Sequence, residues 1–319
     1  MKEHNKLNLE DRKTNHMIPF KPISIENKEL YQSYLLDGKE RGCEYSFSNL
    51  FLWGRQNAAI VHDHLVLFSQ FNRRTVYPFP VGTADKKAVL DAIIADAKER
   101  GISCRLTGLS CADKELLEHY YPGLFRFHCD RDSFDYVYAI DDLADLPGKT
   151  YQKKRNHCNR FKSEHPNYHV EALNEANLPL VEQLVANWYR EKLAENPESD
   201  FLMEQTAILK AFRNYKELGM EGLVLFDGEE VLAMTLGSIV TPDTFDVHFE
   251  KGKAKVNGAY AIINQEFARY IREKHPQIRF LNREEDMGIE GLRLAKQRYY
   301  PHHMVEKCWA HLMEADYEY

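Results

Sequence analysis

One order of elements runs through the chain twice, and this duplication constrains the fold more than any single motif does. The run Leu116–Leu117–Glu118–His119–Tyr120–Tyr121–Pro122, leading into Phe125–Arg126–Phe127, returns as Leu294–Ala295–Lys296–Gln297–Arg298–Tyr299–Tyr300–Pro301, leading into Val305–Glu306–Lys307. Before each copy the pattern predicts three short strands, a helix, a strand and a helix, with a closing strand after it. In the first half, strands over 58–61 and 65–70 flank His62–Asp63–His64, and a third covers 75–79. Leu90, Ile93, Ile94 and Ala97 then recur at helical spacing behind Asp85, a candidate N-cap, and Gly101 ends the helix. In the second half, Asp227–Gly228 marks a hairpin between strands over 222–226 and 231–240, and a third strand covers 244–249. A helix over 258–274, a strand over 278–281, a helix over 288–298 and a last strand over 304–312 complete the repeat.

Between the copies lie a helix over 150–161, a strand over 168–172 and two amphipathic helices. Pro147–Gly148 breaks the pattern and sets the expected boundary. The division is a disordered tail over 1–16, an N-terminal domain over 17–145 that has lost its ligand site, and a ligand-binding C-terminal domain over 146–319. Hairpins followed by helix, strand, helix and strand give an α+β class with mixed sheets.

A net charge of -7 argues against a broad nucleic-acid surface, so any polyanion site must be local, and DNA is not an expected partner. The polar first 16 residues hold no signal-like apolar run, and the longest apolar stretch, over 231–240, is far short of the ~20 residues of a membrane span. Both point to the cytoplasm. Six cysteines without a Cys-x-x-Cys pair read as reduced, buried thiols, and no metal site is expected. His62, His64, His302 and His303 read as turn or strand residues rather than ligands.

Three stretches carry candidate chemistry. Lys149 to Lys162 holds six basic residues and no acidic one, with Lys153, Asn156, His157 and Arg160 on one helical face. That face is either a phosphate-binding surface or a solvated one. Lys251, Gly252, Lys253 and Lys255 precede Asn257–Gly258 at a helix start, where free N–H donors and the helix dipole favour an anion. Asn282–Arg283–Glu284–Glu285–Asp286–Met287–Gly288 joins a strand to a helix that carries Arg293 and Lys296. Its carboxylates can take a proton from an amine, and its cations can hold an acyl donor. Alternatively the acids serve the helix N-terminus, with Arg293 and Lys296 on the solvent side.

The run from Asn282 to Lys296, preceded by Phe249–Glu250–Lys251 and by Lys153–Lys154–Arg155–Asn156, resembles the bacterial family related to the C-terminal domain of phosphatidylglycerol lysyltransferases. The likeness spans Ile18 to Leu312. It implies two similar domains with the tandem GNAT-like acyl-CoA N-acyltransferase fold, also seen in Fem peptidyltransferases. The implied activity is acyl or aminoacyl transfer by direct attack of an amine or hydroxyl, which needs alignment, a base and oxyanion donors. Base candidates are Glu250, Glu284 and Asp286. Lys251, Lys253, Asn257 and Gly258 are expected to line the donor's phosphate, and Lys153, Arg155 and Arg160 to draw in a larger polyanion. Asn282, Arg283, Arg293 and Lys296 complete the donor site. No cofactor is expected to stay bound; the donor is acyl-coenzyme A or aminoacyl-tRNA, and the partner coenzyme A or a tRNA acceptor arm. The membrane-spanning portion of the lysyltransferases is missing here, which leaves peripheral membrane contact open. The alternative is a non-catalytic binding or regulatory protein on the same scaffold.

Overall fold

The computed structural model describes residues 17–36, 42–71 and 74–313. The tail expected over 1–16 lies outside the described residues. The first half contains β1 (Lys21–Pro22), α1 (Lys28–Leu36), α2 (Phe47–Trp53), β2 (Gln56–Val61), β3 (His64–Phe71), β4 (Arg74–Pro78) and α3 (Lys87–Glu99). It continues with β5 (Arg105–Leu109), α4 (Cys111–Tyr120), β6 (Phe125–Cys129), β7 (Asp135–Ala139) and α5 (Ile140–Asp145). The second holds α6 (Gln152–Glu164), β8 (Tyr168–Ala172), α7 (Leu178–Glu195), α8 (Leu202–Leu218), β9 (Glu221–Asp227), β10 (Glu230–Thr241) and β11 (Thr244–Gly252). It ends with α9 (Ala259–Lys274), β12 (Phe280–Asn282), α10 (Glu290–Gln297), β13 (His303–Val305) and β14 (Cys308–Leu312).

Two seven-stranded sheets result, ordered β1-β2-β3-β4-β5-β14-β6 and β8-β9-β10-β11-β12-β7-β13. They correspond position by position. β4 runs parallel to β5, as β11 does to β12, and each sheet takes its sixth strand, antiparallel, from the other half. The predicted single strand over 304–312 is therefore two strands in different sheets. They part at Glu306–Lys307, where Lys307 is buried among carboxylates.

That exchange also corrects the cysteine reading. β14 pairs with β6 with Cys308 opposite Cys129, and the two form a disulfide between residues 179 apart in sequence. Such a pairing has no local signature. Cys43, Cys104, Cys111 and Cys158 are free, and Cys111 is exposed.

Local chemistry explains the elements. His62 and Asp63 both take left-handed φ (46° and 56°), as a tight β2–β3 hairpin requires. Ser110 and Asp113 form a reciprocal capping box at the start of α4. Ile263, Phe267 and Ile271 put α9 against its sheet. One core is shared between halves: Tyr45, Phe47, Leu50 and Leu67 pack with Val181, Ile208, Phe212, Met234 and Phe249. No helix among the described residues is long and apolar enough to cross a membrane.

Candidate active site

The junction between β12 and α10 is wound around two polar anchors. Asn282, almost wholly buried, donates from Nδ2 to Asp135 Oδ2 (3.0 Å) and accepts from the Glu284 N–H (2.7 Å). This turn holds Glu284 at φ 58°, a strained conformation for a residue with a side chain. The Lys296 ammonium then collects three successive carbonyls, those of Arg283, Glu284 (3.0 Å) and Glu285 (2.7 Å). Burial lowers its pKa, and the Arg283 charge adds to that.

Asp286 anchors the other end. It accepts from Arg293 (2.8 Å to each oxygen), Tyr136 OH (2.6 Å), the Gly288 N–H (2.9 Å) and Arg131 (3.3 Å). The Arg293 hydrogen bonds hold it well below the usual carboxylate range, against the effect of burial. Lys296 thus turns inward, and Arg293, part-exposed, reaches back to the buried Asp286, so neither is left to solvent as the alternative has it. α10 exposes Leu294, and the preceding loop exposes Met287 and Ile289.

Arg283 and Glu284, consecutive residues, head two different environments. On the acidic side, Lys307 Nζ meets Asp135 Oδ1 (2.7 Å), Glu285 Oε2 (2.8 Å) and Glu44 Oε2 (3.1 Å). Burial acts against this ammonium, but Asp135, Cys43, Glu44 and Glu285 together raise its pKa well above the ordinary value. Burial raises the pKa of Glu44 and Glu285 despite Lys307. Behind them, Asp246 is fully buried on β11, and burial, with Glu284 and Asp135, pushes it well up. Burial also pushes the Cys43 thiol well up, reinforced by Asp135. His248 links this side together: Nε2 meets Ser238 Oγ at 2.7 Å, and Nδ1 lies 3.3 Å from Glu284 Oε1 and 3.4 Å from Asp246 Oδ2. Asn49 Nδ2 donates to the same Glu284 oxygen at 3.2 Å.

On the cationic side, Arg283 Nη2 donates to Glu250 Oε1 at 3.0 Å, and its guanidinium stands 5.1 Å from the Tyr299 ring centroid. Its Nη1 is buried without a hydrogen-bond partner among the described residues. Lys154 Nζ lies 3.5 Å above the same ring. Burial, with Arg283 and Arg298 nearby, lowers its pKa to about 8. Two cations thus stand near one aromatic ring, and Glu250 is the carboxylate partner of Arg283.

The remaining sequence candidates lie elsewhere or are otherwise engaged. Lys251 is buried, paired with Glu204 (2.7 Å) and set 3.9 Å from the Trp188 ring centroid. Lys253 pairs with Glu230, and Asn257 is exposed. Gly258 has φ 87°, and a Cβ there would meet Phe161 Cβ at 3.0 Å, so the position is set by packing against α6. Lys153 is exposed, Arg155 holds the Leu146 and Gly148 carbonyls, and Arg160 pairs with Glu164 on the surface (2.7 Å). Cys43, Glu44, Asn49, Asp135, Lys154, Ser238, Asp246, His248, Tyr299 and Lys307 are the polar and aromatic residues that sequence reasoning missed. Strand periodicity gave no clue, because a register shift at His248 interrupts the alternation of Asp246, His248 and Glu250 on β11. The set comes together only in three dimensions.

The architecture defines the class first: two mixed seven-stranded sheets of matching strand order, set in tandem. Residues 37–311 match the family model described as "Phosphatidylglycerol lysyltransferase, C-terminal", and the chain belongs to that family. A conserved protein of unknown function from Bacteroides thetaiotaomicron is 36% identical, with a TM-score of 0.89 over 93% of this chain and 100% of that one. L-PGS from Bacillus licheniformis superposes with a TM-score of 0.66 at 16% identity, over 91% of this chain and 93% of that one. FemX superposes at 0.58 and 11% identity, over 92% and 97%. Among curated proteins, MYCGA3080 of Mycoplasmoides gallisepticum is 23% identical over 179 residues. That match spans 55% of each chain, about half the length of that relative.

Proposed function

We propose that this protein transfers an aminoacyl group from aminoacyl-tRNA to an amine or hydroxyl acceptor by direct attack. One observation carries the reading: Arg283 and Glu284, adjacent at the end of β12, lead into a cationic and an acidic environment. An aminoacyl ester has that polarity, with phosphates at one end and an ammonium at the other. Arg283 and Lys154 receive phosphate; Glu284 and Glu285 receive the amine. Glu284 is the base, because it is held only by weak contacts to Asn49 and His248 and its side chain retains 23% exposure. Asp286, whose oxygens are already used, positions the loop. The second half is the ligand-binding one. Met287, Ile289 and Leu294, exposed beside the loop, favour an acceptor with an apolar portion, which extends to peripheral contact with a membrane.

The test supplies purified protein with tRNA charged with radiolabelled amino acids and a panel of acceptors that includes amphiphilic hydroxyls and peptide amines. Label should move to one acceptor, and Glu284→Gln should slow transfer by about 100-fold while tRNA binding persists. Arg283→Met should instead weaken tRNA binding. Charged tRNA that binds without any product across the panel would replace this reading with the non-catalytic one.

A further inference from the structure

We propose that Cys43, Asp246 and Glu284, with His248 beside the two carboxylates, form a site for a thiophilic divalent cation of the Zn2+ class. The Cys43 Sγ and one oxygen each of Asp246 and Glu284 lie within 4.8 Å of one another. His248 Nδ1 approaches those carboxylates at 3.3 and 3.4 Å. Tetrahedral zinc, bound at about 2.0–2.3 Å, places neighbouring ligand atoms about 3.3–3.8 Å apart. The two histidine–carboxylate distances have that spacing.

A second observation separates this group from an ordinary acidic cluster. Asp246 has 0% exposure, and neither of its oxygens has a hydrogen-bond partner among the described residues. Such a carboxyl stays neutral unless a cation reaches it and stabilises the ionised form. The neighbouring group Cys43–Asp135–Glu285 shows how this protein meets the same need, because Lys307 Nζ stands among those three at 3.8, 2.7 and 2.8 Å. Lys296, the other buried ammonium nearby, is turned onto backbone carbonyls. Among the described residues, no ammonium is bonded to the Asp246 or Glu284 carboxylates.

The donor set also selects the ion. A thiol, an imidazole and two carboxylates suit Zn2+ and exclude Mg2+ or Ca2+ as the preferred occupant. His248 is oriented for the task, since its far nitrogen is fixed by Ser238 Oγ at 2.7 Å, the outer-shell support that ligating histidines carry. The partly exposed Glu284 gives the ion its entry. Because Glu284 serves both roles, an occupied site withdraws it from proton transfer; that consequence rests on the transfer reading, whereas the site itself does not.

Chelator-treated, metal-free protein should be titrated with Co2+ and followed by visible and near-ultraviolet absorption. One equivalent should give tetrahedral d–d bands and a thiolate-to-cobalt charge-transfer band, and Cys43→Ser should abolish that band. Cys104, Cys111 and Cys158 remain as internal controls. Asp246→Asn should weaken Co2+ at least tenfold. X-ray absorption on the Zn2+-loaded wild type needs no variant: one sulfur at about 2.3 Å beside nitrogen and oxygen is the expected shell. Absence of saturable binding, a band that survives Cys43→Ser, or a shell without sulfur would overturn the site. None of these readouts depends on transfer activity, so failure of one reading leaves the other standing.

Discussion

The same junction occurs twice in this molecule and has been built in opposite ways. After β5, one residue suffices: Ser110 caps α4 at once, and Gly108, at φ 69°, lies close under Tyr45. The Tyr45 hydroxyl donates to the carbonyls of Phe79 (3.2 Å) and Thr107 (3.4 Å), at the end of the parallel pair β4–β5. After β12, seven residues intervene before α10, and they carry the left-handed Glu284 and Met287 with the acids between. One short turn, Cys43–Tyr45, serves both places. Tyr45 fills the first junction, Cys43 faces the second, and Glu44 lies between them, with Oε2 on Lys307 and Oε1 toward Gly108. Two topologically equivalent sheet ends thus differ in loop length, and the longer loop carries the charged cluster.

The harshest way to break this comparison is to remove Lys307, which crosses between β13 and β14 and neutralises the second junction. Lys307→Met leaves Asp135, Glu44 and Glu285 without their ammonium. Breaking a buried pair by deleting one partner costs about 3–5 kcal/mol. Chemical denaturation should show a loss of that order, and Lys307→Met with Asp135→Asn should recover part of it. A loss below about 1 kcal/mol would mean that the second junction is not organised by this ammonium.

Much of the scaffold was legible before the structure. Helical spacing at Leu90–Ala97 and at Ile263–Ile271, the Asp227–Gly228 turn and the repeated order all act over a few residues, where sequence pattern and geometry coincide. The strand exchange was not legible, because a strand's own residues do not say which of two equivalent sheets it will join. The site divides the same way. Asn282, Arg283, Glu284 and Asp286 stood out as one dense run, yet their roles differ because of partners far away in sequence, such as Asp135 and Lys307. Lys154 was passed over because its face of α6 carries Tyr151, Cys158 and Phe161 and reads as packing. Burial beside Tyr299 is what gives that lysine its character.

Lys154 offers a milder test that sharpens the contrast, since the second junction alone is proposed to receive an anion. Its ammonium binds only while protonated, and the folded-state pKa is lowered to about 8. Affinity should therefore hold below that pH and decline as pH rises through it. Between pH 7 and 9 the protonated fraction falls about tenfold. Sulfate is the suitable probe, because its own charge is constant over this range. Calorimetry should show the decline in the wild type and a flat, weaker profile in Lys154→Met; an equally steep profile in the variant would place the titrating group elsewhere.

The smallest effects separate the junctions by sterics alone. An alanine Cβ at Gly108 would sit 2.7 Å from the Tyr45 hydroxyl and 3.0 Å from Glu44 Oε1, in a backbone conformation that favours glycine. At Gly291, in the first turn of α10, the same atom would meet nothing within 4 Å. Gly108→Ala should therefore cost about 1 kcal/mol, and Gly291→Ala should gain about 0.5 kcal/mol through helix propensity. Thermal unfolding resolves both signs. A neutral Gly108→Ala would show that the first junction has slack, and the Tyr45 contacts would then be a consequence of the closed turn rather than its cause.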